Sequence, residues 1–125
     1  MIVVCKELIN PNTGMHEESS PWLTVGKQYH VLQVYMGHGD RILKYRLESD
    51  DNRSPTMHHA ELFDVVSSQL PSNWVIKNSM GSALELGPKA WDVDGFWIAY
   101  FDGESLAREV YANEVAKIVA EDARA

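Results

Sequence analysis

Clusters of turn-forming residues divide the first two thirds of the chain into short segments, and this spacing constrains the fold most. The clusters are rich in Gly, Pro, Asn and Asp and recur about every ten residues as far as residue 86. They read "NPNTG", "GHGD", "DDNRSP" and "PSN". Because the segments between them are rich in β-branched and aromatic residues, we expect five to six short strands. The spacing predicts a small, strongly bent antiparallel β-barrel.

Two of these segments show clear strand alternation. In "KQYHVLQVYMG", which ends at Gly37, both faces are largely apolar, which predicts a central strand. In the next segment, "RILKYRLES", one face is polar and the other is apolar. The polar face holds Ile42, Lys44 and Arg46, and the apolar face holds Leu43, Tyr45 and Leu47. The "GHGD" cluster between the segments predicts a hairpin turn.

The pattern changes to a helical one at Gly87-Pro88. The five large aromatic residues that follow are spaced three to five apart, while Gly95 predicts a kink or two short helices. We expect these rings to be core, with an exposed binding surface as the alternative. They are Trp91, Phe96, Trp97, Tyr100 and Phe101.

The last 21 residues, "SLAREVYANEVAKIVAEDARA", predict a second helix. Its apolar stripe comprises Ala107, Val110, Tyr111, Val115, Ile118 and Val119. We therefore predict one α+β domain over residues 1–125. Residues 1–86 are expected to be mainly β, and residues 87–125 mainly helical.

Charge and composition restrict the function classes. The chain has 11 Lys and Arg against 18 Asp and Glu, a net charge of −7, which argues against nucleic-acid binding. Cys5 is the only cysteine, so no intramolecular disulfide can form, as expected in a reducing compartment. No apolar run approaches the length that spans a membrane, and no signal-peptide pattern opens the chain. We expect a cytoplasmic protein that binds no membrane.

The sequence predicts no catalytic residues, no cofactor and no metal. Adjacent His58 and His59 would point to opposite faces of a strand, which is unsuited to shared metal binding. Cys5 lies among apolar neighbours and is expected to be a buried structural thiol. An enzyme of unrecognised type, using His38 with Asp40, stays open as an alternative.

Several motifs resemble known small bacterial proteins. The run "LTVGKQYHVL" over 23–32, followed by a hairpin and the Leu62-Phe63 pair, resembles the opening strand of small bacterial and phage proteins with an SH3-like barrel. The runs "PSNW" and "GFWIAYFDG" resemble an uncharacterised group of small bacterial proteins. The resemblance implies an SH3-like barrel and no known chemistry. Some such small acidic proteins resemble immunity proteins encoded beside secreted toxins.

These observations favour a non-catalytic module that binds a protein partner, with a basic partner suited to the acidic surface. One form of this hypothesis is an immunity protein that neutralises a basic toxin such as a nuclease. The alternative is a scaffold or regulatory protein that self-associates, for example as a homodimer, through leftover aromatic surface. The carboxylates expected to meet the partner are Glu17, Glu18, Asp50, Asp51, Asp92 and Asp94.

Overall fold

The computed structural model describes residues 1–10, 12–79 and 82–124. Three predicted positions therefore lie outside the described residues: Pro11 in the first turn cluster, Gly81 at the start of a predicted strand, and Ala125. The strands are β1 (Ile2–Cys5), β2 (Gln28–His30), β3 (Gln33–Gly37), β4 (Leu43–Glu48), β5 (Pro55–His59), β6 (Phe63–Ser67), β7 (Trp74–Ser79) and β8 (Ser82–Pro88). The helices are α1 (Phe96–Phe101) and α2 (Ser105–Asp122).

Within the described ranges the strands pair as two antiparallel sheets. One has the order β2-β1-β6 and the other the order β5-β4-β3-β8-β7. The α+β class, with the β segments first and the helices at the C-terminal end, is confirmed. The strand count is a correction, because the described residues form eight strands where five to six were predicted.

The main reason for the higher count is that one alternating run contributes to both sheets. The backbone N–H of Val31 donates to the carbonyl of Met1, which extends the β1–β2 pairing by one position. The N–H of the next residue, Leu32, donates instead to the carbonyl of Arg46 on β4. The chain thus leaves one sheet and enters the other between neighbouring residues, which is how strands turn corners in packed sheets.

A first core fills the space between the sheets. Its fully buried members include Val3, Val31 and Leu47, and the rings of Tyr29 and Tyr45 contact that of Phe63. Cys5 belongs to this core, as the sequence predicted, and burial raises the pKa of its thiol. The thiol is therefore a protonated packing group at neutral pH.

A second core lies beneath the two helices. Trp91 stacks on Tyr111 at 5.3 Å between ring centroids, and Tyr111 also contacts Tyr100 at 4.6 Å. The predicted break at Gly95 is confirmed: this glycine has φ +76° and separates α1 from a short 3₁₀ turn over Lys89–Trp91.

The buried face of α2 differs from the predicted stripe. Val119 is exposed, whereas two acidic residues, Glu114 and Asp122, are buried. Asp122 can be buried because its carboxylate meets His30 Nδ1 at 2.6 Å and the amino group of Met1 at 2.7 Å. The buried positions of α2 are Ala107, Tyr111, Glu114, Ile118 and Asp122.

Candidate interaction surface

The aromatic segment is only partly core. Trp91, Phe96 and Tyr100 are buried as predicted, and Trp97 is half-buried. Phe101 is 52% exposed, so the expectation that it belongs to the core is wrong. Its ring nevertheless lies 5.1 Å from that of Tyr100 and 6.0 Å from that of Trp97. These contacts hold the phenyl ring in place at the surface.

Phe101 belongs to a group of exposed apolar side chains around α1 and the start of α2. Ile98 and Phe101 are three positions apart on α1 and therefore share a helix face. Gly103, with φ +81°, permits the tight turn into α2, whose first turn carries Leu106. We call the group the corner patch: Val93 (63% exposed), Ile98 (71%), Phe101 (52%) and Leu106 (73%).

Acidic side chains accompany the corner patch. No lysine or arginine occurs between Lys89 and Arg108, while that stretch contains four carboxylates. We call them the acidic rim: Asp92, Asp94, Asp102 and Glu104. Asp92 bonds to Lys77 on β7, but the other three side chains are exposed and form no ion pair in the described part of the chain. Arg108 lies 4.0 Å from the ring centroid of Tyr100, so the corner holds one cation beside these three carboxylates and retains a net negative charge.

Arg46 supports the helices from below. Its guanidinium lies 3.9 Å from the ring centroid of Trp97, donates to Gln33 Oε1 at 2.8 Å, and donates to the carbonyl of Pro55 at 2.7 Å. Burial lowers the pKa of Arg46 to about 10, so the side chain stays charged at neutral pH. The polar face predicted for β4 is thus partly covered by α1, and no feature of the strand pattern indicates that Trp97 is the partner.

The predicted partner-binding carboxylates lie on different elements of the fold. Asp92 and Asp94 belong to the acidic rim, whereas Glu17 and Glu18 lie in an exposed loop before β2. Asp51 is exposed in the turn after β4. Asp92 instead bonds to Lys77 on β7, a strand that none of the other four predicted carboxylates adjoins in the sequence.

The carboxylate of Asp50 is bonded within the fold and has a structural role. Its carboxylate accepts hydrogen bonds from Lys27 Nζ and Thr24 Oγ1, both at 2.6 Å, and from the Tyr29 hydroxyl at 3.2 Å. Burial opposes ionisation of Asp50, but these bonds outweigh it and lower its pKa. Asp50 therefore joins the loop before β2 to the end of β4.

The other candidate chemical groups lie on separate elements, β5 and the turn between β3 and β4. His58 and His59 lie side by side on β5, and His58 Nε2 is 2.8 Å from Thr56 Oγ1. His38 and Asp40 lie exposed in the turn between β3 and β4. Among the described residues, no group of three or more His, Cys, Asp and Glu side chains is arranged to hold a metal ion.

No helix in the described part of the chain combines the length and the apolar character needed to cross a bilayer. Comparison with known proteins gives no match to any family model, curated protein or solved structure.

Proposed function

We propose that this chain is a non-catalytic protein-binding module that captures a basic protein partner through the corner patch and its acidic rim. The observation that carries the proposal is the combination of four exposed large apolar side chains with three unpaired carboxylates in one short stretch. Specific protein interfaces have the same composition, an apolar centre with a polar rim.

The fixed conformation of the corner patch favours binding. Aromatic side chains often dominate interface energies, and binding costs less entropy when they are already fixed. Phe101 is such a residue, since Trp97 and Tyr100 hold its ring at the surface. Ile98 and Leu106 provide aliphatic area beside it. We therefore assign Phe101 the central contact with the partner.

Charge favours a basic partner over a second copy of the chain. A symmetric homodimer through the corner patch would place the same surface on both sides of the interface. Asp94, Asp102 and Glu104 of both copies would then be brought to one interface, and this accumulation of like charge is unfavourable. A partner with Lys and Arg around an apolar pocket pairs with this rim instead.

The sharpest form of the proposal is an immunity protein that binds a basic toxin, such as a nuclease, and neutralises it. The motif resemblance and the net charge of −7 support this form. An SH3-like barrel, a cytoplasmic location and the lack of catalytic activity stay predictions beside it.

The experiment is calorimetric titration of the chain with the purified products of the genes that flank its own. We expect one product to bind, with an affinity that falls at least tenfold as NaCl is raised from about 50 to 300 mM. Sedimentation of the free chain over a hundredfold concentration range should show a monomer. No binding to any flanking product, or a dimer that forms through the corner patch, contradicts the proposal.

A further inference from the structure

A cleft of about 380 Å³ lies on a part of the molecule that the corner patch does not include. Its walls come from the start and end of the loop between β1 and β2, from β5, and from the 3₁₀ turn after β5. This volume is within the range of small-molecule sites. The lining residues are Leu8, Ile9, Glu17, Ser20, Pro21, Trp22, Leu23, Met57, His58, His59, Glu61 and Leu62.

One part of the cleft is apolar and structurally fixed. Leu8 and Leu23 are buried members of the first core, and Leu62 packs against the same core. Trp22 is 44% exposed, so its indole is accessible in the wall. Asp50 orders this wall, because its backbone N–H donates to the carbonyl of Trp22 at 2.8 Å. The cleft thus has an accessible aromatic side chain in its wall.

The charged part of the cleft is negative. Glu17 and Glu61 line it, and none of the described lining residues is Lys or Arg. Burial lowers the pKa of His58, so this imidazole adds no positive charge at neutral pH. His59 Nδ1 lies 3.7 Å from Glu61 Oε1, and both side chains are exposed at the edge of the cleft.

We infer that this cleft binds an organic monocation with an apolar body, in which an ammonium or guanidinium group faces Glu17 and Glu61. The apolar body would lie on Leu8, Leu23 and Leu62. Trp22 adds attraction for the cation, because an indole face attracts a positive charge about 6 Å or less from its centre. A free amine and the side chain of a Lys or Arg residue share this chemistry.

The test is NMR titration of the indole N–H signals, with the Trp22 signal assigned by Trp22→Phe. The probes are phenethylammonium and the N-acetylated, C-amidated tripeptides Gly-Lys-Gly and Gly-Arg-Gly, with 2-phenylethanol and 3-phenylpropionate as neutral and anionic controls. We expect the cationic probes to shift the Trp22 signal saturably and at least tenfold more tightly than the alcohol. Saturation by phenethylammonium alone identifies a free amine as the ligand, and saturation by the tripeptides alone identifies a protein side chain. Equal binding of the alcohol, or no shift with any cation, overturns the inference.

Paired variants locate the charge. Glu17→Gln combined with Glu61→Gln should weaken the binding of the cationic probes at least tenfold. Glu18→Gln combined with Asp51→Asn is the matched control, since both carboxylates are exposed and neither lines the cleft. Equal losses in both proteins would contradict a role for the cleft carboxylates. The outcome is independent of the proposed function, because the corner patch contributes no residue to the cleft.

Discussion

The first core and the helical corner both contain large apolar residues, but the core buries them and the corner leaves several exposed. Between the sheets, Val31, Leu47 and Phe63 are buried from both sides. At the corner, the six residues of α1 bury Phe96 and Tyr100 beneath the helix, while Ile98 and Phe101 face outward. A segment rich in apolar residues therefore indicates a surface that is to be covered. The covering surface can belong to another protein as well as to the chain's own core.

The largest expected difference between the two regions is in stability. Leu47→Ala removes a fully buried side chain and should lower the free energy of unfolding by about 2–5 kcal/mol. Leu106→Ala removes one that is already exposed and should change it by less than about 0.5 kcal/mol. Urea unfolding monitored by far-UV circular dichroism measures both. Equal losses would show that the corner is part of the folding core.

Arg46 links the two regions, and its loss should have the next largest effect. Arg46→Met keeps an aliphatic stem but removes the hydrogen-bond donors to Gln33 and Pro55. It also removes the cation that packs on the ring of Trp97. We expect a loss of about 1–3 kcal/mol because the buried acceptors lose their partner. Lys44→Met on the same strand face is the control and should cost less than half as much. Urea unfolding checks the energies, and a changed near-UV spectrum checks the Trp97 contact.

The charge of the corner should affect binding but not folding. Asp94→Asn combined with Asp102→Asn should weaken association with the proposed basic partner by about five- to tenfold. Glu18→Gln combined with Asp51→Asn removes the same charge from exposed carboxylates elsewhere and should weaken it by less than twofold. Calorimetry compares the two variants. A stronger effect from the second pair would place the interface on the loops and not on the corner.

The smallest expected effect concerns Asp50, the one predicted partner carboxylate that the fold uses internally. Because its pKa is lower in the folded chain than in the unfolded one, it stabilises the fold above about pH 4 and loses this contribution as the pH falls further. Asp50→Asn should therefore cost up to about 1 kcal/mol at pH 6 and less at pH 3. Urea midpoints of both proteins at the two pH values test this. A difference that grows on acidification would contradict the assignment.

Much of the local structure was predictable, because turn chemistry and periodicity act over short distances. The hairpin turn predicted at "GHGD" is confirmed, since β3 and β4 pair as antiparallel neighbours on either side of it. The break at Gly95 was predictable for the same reason, because it depends on the backbone conformation of that glycine alone.

The features that a single sequence did not reveal depend on distant partners. Alternation continues unchanged where the chain passes from β2 to β3, so the change of sheet leaves no signal. Asp122 is buried because His30 and the amino group of Met1 surround it, and its own neighbours on α2 do not indicate this. Phe101 is exposed because it shares the outward face of α1 with Ile98, whereas Phe96 and Tyr100 occupy the buried face.

The central claim is that the corner patch is the surface that meets the partner. Ile98 and Ile76 provide a matched comparison, because the two side chains are 71% and 72% exposed and lie on α1 and β7. The decisive measurement is the dissociation constant of the partner for Ile98→Ser and for Ile76→Ser, determined by calorimetry. We predict at least a tenfold loss for Ile98→Ser and less than a twofold change for Ile76→Ser. Unchanged affinity in Ile98→Ser, or an equal loss in both variants, would contradict the claim.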